Sequence, residues 1–517
     1  MKLYPDNLLE KIGFEQISRY LESQTHTELA RRRIGKLSFS SSRDAITTLL
    51  AQTEELLKLL KSGAGFPLRR IPDISDWLDK SRAKGSILPQ QGILDVIKTA
   101  RIARRIKSFV QNHQQEFELN KLPAISEQIE GLKGLEDEAA KIITDHGEIK
   151  SGASPKLRKI RNQLNNKKSQ VRKAIQKIMK KAVSRGFASD EGITIRGGRM
   201  VIPIQAEYKR SIDGFIHDVS SSGQTVFLEP VEALDLNNEI RQLEIEEQNE
   251  IERLLQYLTS RIRERRSELQ ENAEVLAQLD VIAAKARLGQ ELDGQIPKVA
   301  NDDTIVLRHA MNPVLALKNK KIEQPEPIVP LNLELDKHER CLMITGPNAG
   351  GKSVAMKTLA LCSLMMQAGI PVPADQTTRL PIYDNLFLDI GDDQSIESDL
   401  STFSSRLQWI KETYQNSGSQ SLIMIDEAGS GTDPDEGGAL YQALIEKLIE
   451  RESRVIVTTH HGSLKIFADE HPKAVNGSME FNADNLEPTY RFKKGIPGSS
   501  YAFEIARRMN LPDKLIE

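Results

Sequence analysis

Between Ile46 and Leu60 the apolar residues fall at Ile46, Leu49, Leu50, Leu56, Leu57 and Leu60, and the spacing returns at Ile93, Val96, Ile97, Ala100 and Ile106. Steps of three and four line residues up along one side of an α-helix, so both stretches are predicted to be amphipathic helices. Turn-forming runs separate them: Ser62-Gly63-Ala64-Gly65, Ile71-Pro72-Asp73 and Leu88-Pro89. Residues 1–154 contain no nucleophile, ligand cluster or phosphate loop and read as an all-helical core.

Beyond residue 154 the helical period runs uninterrupted for much longer. Leu157, Ile160, Leu164, Val171, Ile175, Ile178 and Ala182 form one seam. At ~1.5 Å per residue a helix over Lys156–Ser184 would extend ~40 Å. It is predicted to end at Arg185-Gly186, where glycine can take the left-handed cap. The period then shortens to two. Gly192–Ile204 reads as a hairpin turning at Gly197-Gly198, and Phe215–Val219 and Thr225–Leu228 form a second pair around Ser220-Ser221-Ser222-Gly223. After Pro230 the residues Leu234, Ile240, Leu243, Ile251, Leu254, Leu258, Ile262, Leu269, Leu276 and Leu279 resume helical spacing. Two long helices around a small β module predict an antiparallel coiled-coil arm over 155–290 with a β-rich tip at about 187–230. Gly294, Pro297 and Asn301-Asp302-Asp303 then mark a boundary before a last domain over 300–517.

Charge changes this picture locally, although the totals nearly cancel at 71 Lys+Arg against 73 Asp+Glu. From Pro155 to Ser189 there are twelve lysines and arginines and no acid, whereas Glu232–Glu252 holds eight carboxylates and only Arg241. The two helices can pair electrostatically across the seam, and unpaired cations near the tip can meet an anionic partner. Arg196, Arg199, Lys209 and Arg210 lie in or beside the tip's loops, where phosphate contacts are commonly made. No apolar run approaches the ~18 residues of a membrane span, and the first residues lack the apolar core of a secretory signal, so a cytoplasmic location and no membrane partner are expected. Two cysteines among 517 residues cannot make a disulfide framework or a four-ligand zinc site.

The chemistry is concentrated in the last domain. Cys341–Thr345 is a short apolar run, read as a buried strand, and leads into Gly346-Pro347-Asn348-Ala349-Gly350-Gly351-Lys352-Ser353 ahead of a helical pattern reaching Met366. Strand, GxxxxGK[ST] and helix in that order make a phosphate loop: backbone N–H groups turn inward around phosphate oxygens and the helix N-terminus adds positive dipole. Lys352 is expected to reach the β- and γ-phosphates and Ser353 to ligate Mg²⁺. A second apolar strand, Ser421–Ile425, ends in Asp426-Glu427, which suits a carboxylate on the metal's shell and a general base for water. A third, Arg454–Thr459, ends in His460-His461, where His460 can contact a γ-phosphate.

Phosphate loop, Asp-Glu strand, Gly429-Ser430-Gly431-Thr432-Asp433 turn and Thr458-Thr459-His460 occur in the order of the ABC-class ATPases, and together resemble the MutS family. The tip segment 195–230 and the stretch 476–512 resemble its second, MutS-two branch. The resemblance implies a fold of α plus α/β class: an all-helical core, a coiled-coil lever arm with a β-rich clamp tip, and an ABC-class P-loop ATPase domain. It implies ATP and Mg²⁺ as ligands and a homodimer in which Ser401, Thr402 and Ser404 cover the partner's nucleotide, with Gln394 as a nucleotide-sensing glutamine. It further implies an ATP-driven clamp on branched or irregular DNA that suppresses recombination; alternatives are a ribosome-associated ATPase that binds ribosomal RNA and splits stalled ribosomes, or a structural tether. Neither the family's mismatch-binding domain nor its small nuclease domain is expected in this chain.

Overall fold

The computed structural model describes residues 1–188, 192–347, 350–390, 399–430, 433–482 and 487–498. In chain order it opens with the strand Lys2–Tyr4 (β1) and the helices Leu8–Ile12 (α1), Phe14–Ser23 (α2), Glu28–Ile34 (α3), Arg43–Lys61 (α4), Ser75–Lys80 (α5), Gln90–His113 (α6), Lys121–Ser126 (α7) and Lys133–Ile142 (α8). The long helix Pro155–Ser184 (α9) leads to strands Thr194–Arg196 (β2), Arg199–Gln205 (β3), Gly214–Val219 (β4) and Thr225–Pro230 (β5), then helices Val231–Glu264 (α10) and Arg266–Glu291 (α11). There follow Lys298–Val299 (β6), Ile305–Ala310 (β7), Pro313–Asn319 (α12), Leu331–Leu335 (β8), Cys341–Thr345 (β9), Lys352–Gln367 (α13), Arg379–Leu380 (β10) and Asn385–Asp389 (β11). The last elements are Asp399–Asn416 (α14), Ser421–Ile425 (β12), Pro434–Glu450 (α15), Arg454–Thr458 (β13), Gly462–Glu470 (α16), Ala474–Asn482 (β14) and Glu487–Lys494 (β15). None of the described helices is long and apolar enough to cross a membrane.

These elements form two compact units, one from Met1–Arg70, Arg105–Gln128 and Glu274–Glu517, the other from Ile71–Arg104 and Ile129–Ala273. Segment 1–154 is therefore divided between them, and it is not wholly helical. Three residues are too few to show a period, yet β1 pairs in parallel with β11, Lys2 opposite Asn385.

In the second unit α9 starts at a Ser154 cap, whose hydroxyl accepts from Leu157 N at 3.0 Å and donates to Glu250 at 2.8 Å. Arg253 holds the buried Glu250 carboxyl down at about 2, with Ser154 and Lys156 adding to the effect. Beyond Ser154–Glu250 the ion pairs Arg161–Glu247, Lys167–Glu239 and Lys168–Glu244 join later positions of α9 to earlier positions of α10, so the helices run antiparallel. Pairs this exposed contribute ~0.2–1 kcal/mol each, so they set register more than stability. The apolar seam contributes more: Leu157, Ile160, Leu164, Val171, Ile175, Met179 and Ala182 are buried on α9. Met179 takes the core place expected of Ile178, which stays half-exposed. The sheet order is β2-β3-β5-β4. Ile202, Ile204, Val226 and Leu228 share one core cluster with the α9 seam from Ile160 onward and with Ala233 and Ile240 of α10.

In the first unit seven strands run in the order β1-β11-β12-β13-β9-β14-β15, parallel except for the β14–β15 hairpin. Strands β9, β11, β12 and β13 are buried at every position, apart from the half-buried Asn385 at the start of β11, the continuous apolar pattern of strands covered on both faces. Helix α13 buries 13 of its 16 residues, as a helix apolar all round must, with ~1.5–3 kcal/mol for each fully buried Leu or Met. At its C-terminal end the buried Lys285 ammonium of α11 donates to Ala368 O at 2.7 Å, and burial lowers this lysine to about 8.

Candidate nucleotide-binding site

Parallel pairing brings three strand ends to one edge. Thr458 lies opposite Ile344, and Val457 opposite both Met343 and Ile425, so the loops after β9, β12 and β13 leave the sheet side by side. In open α/β sheets ligands bind outside such carboxyl ends. Gly346 and Gly351 take φ of 126° and 89°, in the region that favours glycine. Lys352, 3% exposed, begins α13 and turns back over the loop: Nζ donates to Gly346 O at 2.6 Å and Pro347 O at 3.1 Å, and sits 3.1 Å from His460 Nε2. Burial depresses its pKa to about 8, against the opposing pull of Glu427 and Asp426.

That depressed value fixes the sign of a proton linkage. Below about pH 8 the ammonium is charged; above it the free protein increasingly holds neutral Lys352, while a bound triphosphate favours the charged form. Titration calorimetry at pH 8.5 in buffers of different ionisation heat should show net proton uptake on ATP binding, vanishing toward pH 6.5 for this group. Uptake equal at the two pH values, or none at pH 8.5, would contradict the assignment.

Asp426 and Glu427 are both tied to one hydroxyl. Thr458 Oγ1 donates to Asp426 Oδ1 and accepts the Glu427 N–H at 2.8 Å. Asp426 is 7% exposed; Glu427 is exposed and has φ of 54°, unusual for a residue with a side chain. Burial and the neighbouring Lys352 lower His460, which keeps its imidazole neutral at pH 7. Gly429 (φ 87°) permits close approach of His461: a Cβ there would lie 2.8 Å from its ring.

Several residues beside this edge carry no sequence motif. Arg406 of α14 donates to Ser430 O and, at 2.9 Å, to Ser430 Oγ. Tyr441 OH donates at 2.8 Å to Asp389, whose buried carboxyl is raised by desolvation. Lys465 Nζ donates at 3.0 Å to Gly498 O, while Gly498 N donates at 2.7 Å to Thr345 Oγ1. Tyr490 is half-exposed with its ring beside Gly351. Its neighbours Thr489 and Arg491 line a cavity of about 860 Å³ with Ile328, Asn332 and Glu480. Each of these depends on contacts between residues far apart in sequence. Only the bulky aromatic in a polar strand could have drawn attention to Tyr490.

Asn348, Ala349 and Gln394 lie outside the described residues, as do the side chains of Ser401 and Thr402 in the first turn of α14; Ser404 is exposed on that helix and Ser353 is half-buried. At the tip the four expected phosphate contacts separate into two kinds. Arg199 Nη1 meets both oxygens of the fully buried Glu229 at 2.9 Å, and Glu229 also holds His217 at 2.6 Å and Asn237 at 2.7 Å. Arg196 pairs with Asp218 at 3.2 Å and lies 4.4 Å over the Phe227 ring. Both guanidiniums are engaged within the tip: Glu229 arrives on β5, distant in sequence but paired with the β3 of Arg199, and Asp218 comes from β4, at the opposite edge of the sheet from the β2 of Arg196. Lys209 and Arg210 are exposed. So are Arg172, Lys173, Lys177, Lys180, Lys181 and Arg185 of the α9 end, and no ion pair among the described residues reaches them.

A phosphate loop, an acidic pair and a histidine at adjacent strand ends define a P-loop nucleotide-binding chain, and residues 342–517 match the family model MutS domain V. The chain is 37% identical over 509 residues to the Endonuclease MutS2 of Alkaliphilus oremlandii, covering 98% of this chain and 63% of that protein. It is 36% identical over 511 residues to the Endonuclease MutS2 of a Geobacillus species, covering 99% and 64%. The chain belongs to the MutS family, in its MutS2 branch, and spans a little under two thirds of the length of these relatives.

Proposed function

We propose that this chain is an ATPase that works as a homodimeric clamp on nucleic acid. What supports hydrolysis above all is the convergence of Lys352, Asp426, Glu427 and His460 at one sheet edge. Lys352 exchanges the carbonyls of Gly346 and Pro347 for β- and γ-phosphate oxygens, and the N–H groups at the start of α13 take the rest of the charge. Glu427 accepts the proton of the attacking water, and neutral His460 donates toward the γ-phosphate. Ser353 and Asp426 offer the hard oxygen donors that suit Mg²⁺, which would neutralise charge on the phosphates. The nucleoside leaves the loop past the Tyr490 ring. Ser401, Thr402 and Ser404 of a second copy complete the site, so that ATP adds contacts available only in the closed dimer and biases it by that differential affinity.

The polymer in this reading is branched or irregular DNA. The relatives' printed name, endonuclease, supports a nucleic acid, and the unpaired cation row on α9 supports backbone recognition rather than base reading. The combined variant Lys173→Glu, Lys177→Glu, Lys180→Glu should bind four-way junction DNA at least ~10-fold more weakly at low salt, with a log–log salt slope shallower by ~2–3. Fluorescence anisotropy over a salt series measures both. Unchanged affinity and slope would remove α9 from the contact surface, and equal affinity for plain duplex would remove the preference for branches.

A further inference from the structure

We infer that Arg406 is a positioning residue that sets the direction of the Glu427 carboxylate. The inference rests on the hydrolytic reading above. Among the described residues no hydrogen bond or ion pair reaches the Glu427 side chain, so its direction follows from its backbone alone. That backbone sits at a φ of 54°, a left-handed conformation that a residue with a Cβ holds only when its surroundings enforce it.

Two restraints enforce it. On the N-terminal side the Thr458 hydroxyl takes the Glu427 N–H at 2.8 Å. On the C-terminal side Glu427 O accepts from Ser430 N at 3.1 Å. Ser430 in turn is held by Arg406 Nη1 through both its carbonyl and its hydroxyl. The first restraint comes from the sheet itself. The second comes from α14, a separate helix, through one half-buried guanidinium. The same guanidinium partly offsets the desolvation that raises the buried Asp389 carboxyl, so its charge lies close to the ends of β11 and β12. Moving α14 by a fraction of a side chain's length would slacken the turn and swing the general base, while Lys352 and the phosphate loop stay in place. Hydrolysis in a subunit is thereby made to depend on that subunit's own Arg406, and its grip on the phosphates through Lys352 is not.

The test compares wild type, Arg406→Ala, Arg406→Lys and Ser430→Ala by steady-state hydrolysis, equilibrium ATP binding and thermal unfolding. A misdirected base costs turnover by ~10–100-fold. Arg406→Ala should therefore lose that much kcat with KM, nucleotide Kd and melting temperature near wild type. Arg406→Lys, which can keep one of the two bonds, should recover part of the loss, and Ser430→Ala should lie between. Wild-type kcat in Arg406→Ala overturns the inference. So does a loss confined to KM or Kd, or one that tracks a fall in melting temperature, since those mark a binding or packing residue. Absence of hydrolysis by wild type fails the underlying reading instead, and is seen before any variant is compared.

Discussion

Lys352→Ala should abolish measurable ATP binding, raising Kd by at least ~100-fold. Hydrogen bonds to a charged partner contribute ~1.5–3 kcal/mol each, and in the proposed site this ammonium would face two phosphates. The loss is separable from misfolding. Lys352 is buried and its charged form is disfavoured there, so replacing it relieves a desolvation cost and the melting temperature should be unchanged or higher. Isothermal titration with ATP, beside a melting curve, reads both. Micromolar binding by the variant would mean that the loop does not hold the triphosphate.

Glu427→Gln should separate binding from chemistry. The amide keeps the size and the backbone of the turn, including the Glu427 N–H bond to Thr458, but accepts no proton. General bases contribute ~10²–10⁴-fold, so kcat should fall by at least ~100-fold while ATP Kd stays within a few-fold of wild type. Single-turnover hydrolysis of radiolabelled ATP measures it. A variant turning over at the normal rate would give the base to another group.

How far the sequence foretold this site depended on how local each signal was. The phosphate loop, Asp426-Glu427 and the strand ending at His460 are contiguous motifs, and β9, β12 and β13 run as expected from their uninterrupted apolar residues. The facing charge runs likewise foretold the pairing of α9 with α10, visible in Arg161–Glu247 and Lys168–Glu244. What stayed hidden is non-local. Arg199 reads as a free loop cation until β5 brings Glu229 beside it; Arg406 reads as an ordinary helix surface residue until Ser430 folds onto it. Strand β1 was invisible because its reason for being extended, the edge of β11, lies 383 residues further along the chain, Asn385 standing opposite Lys2. The switch from Ile178 to Met179 in the α9 seam is a packing choice between neighbouring apolar residues, which spacing alone does not decide.

Occupied phosphate loops joining two copies is the claim on which the clamp depends. Sedimentation velocity of Glu427→Gln at micromolar concentration, with and without Mg-ATP, tests it most directly. The account predicts a faster-sedimenting dimer, or a tightened one, only when ATP is present and only while Lys352 is intact. An identical sedimentation profile with and without nucleotide, at concentrations where binding is saturated, would contradict it.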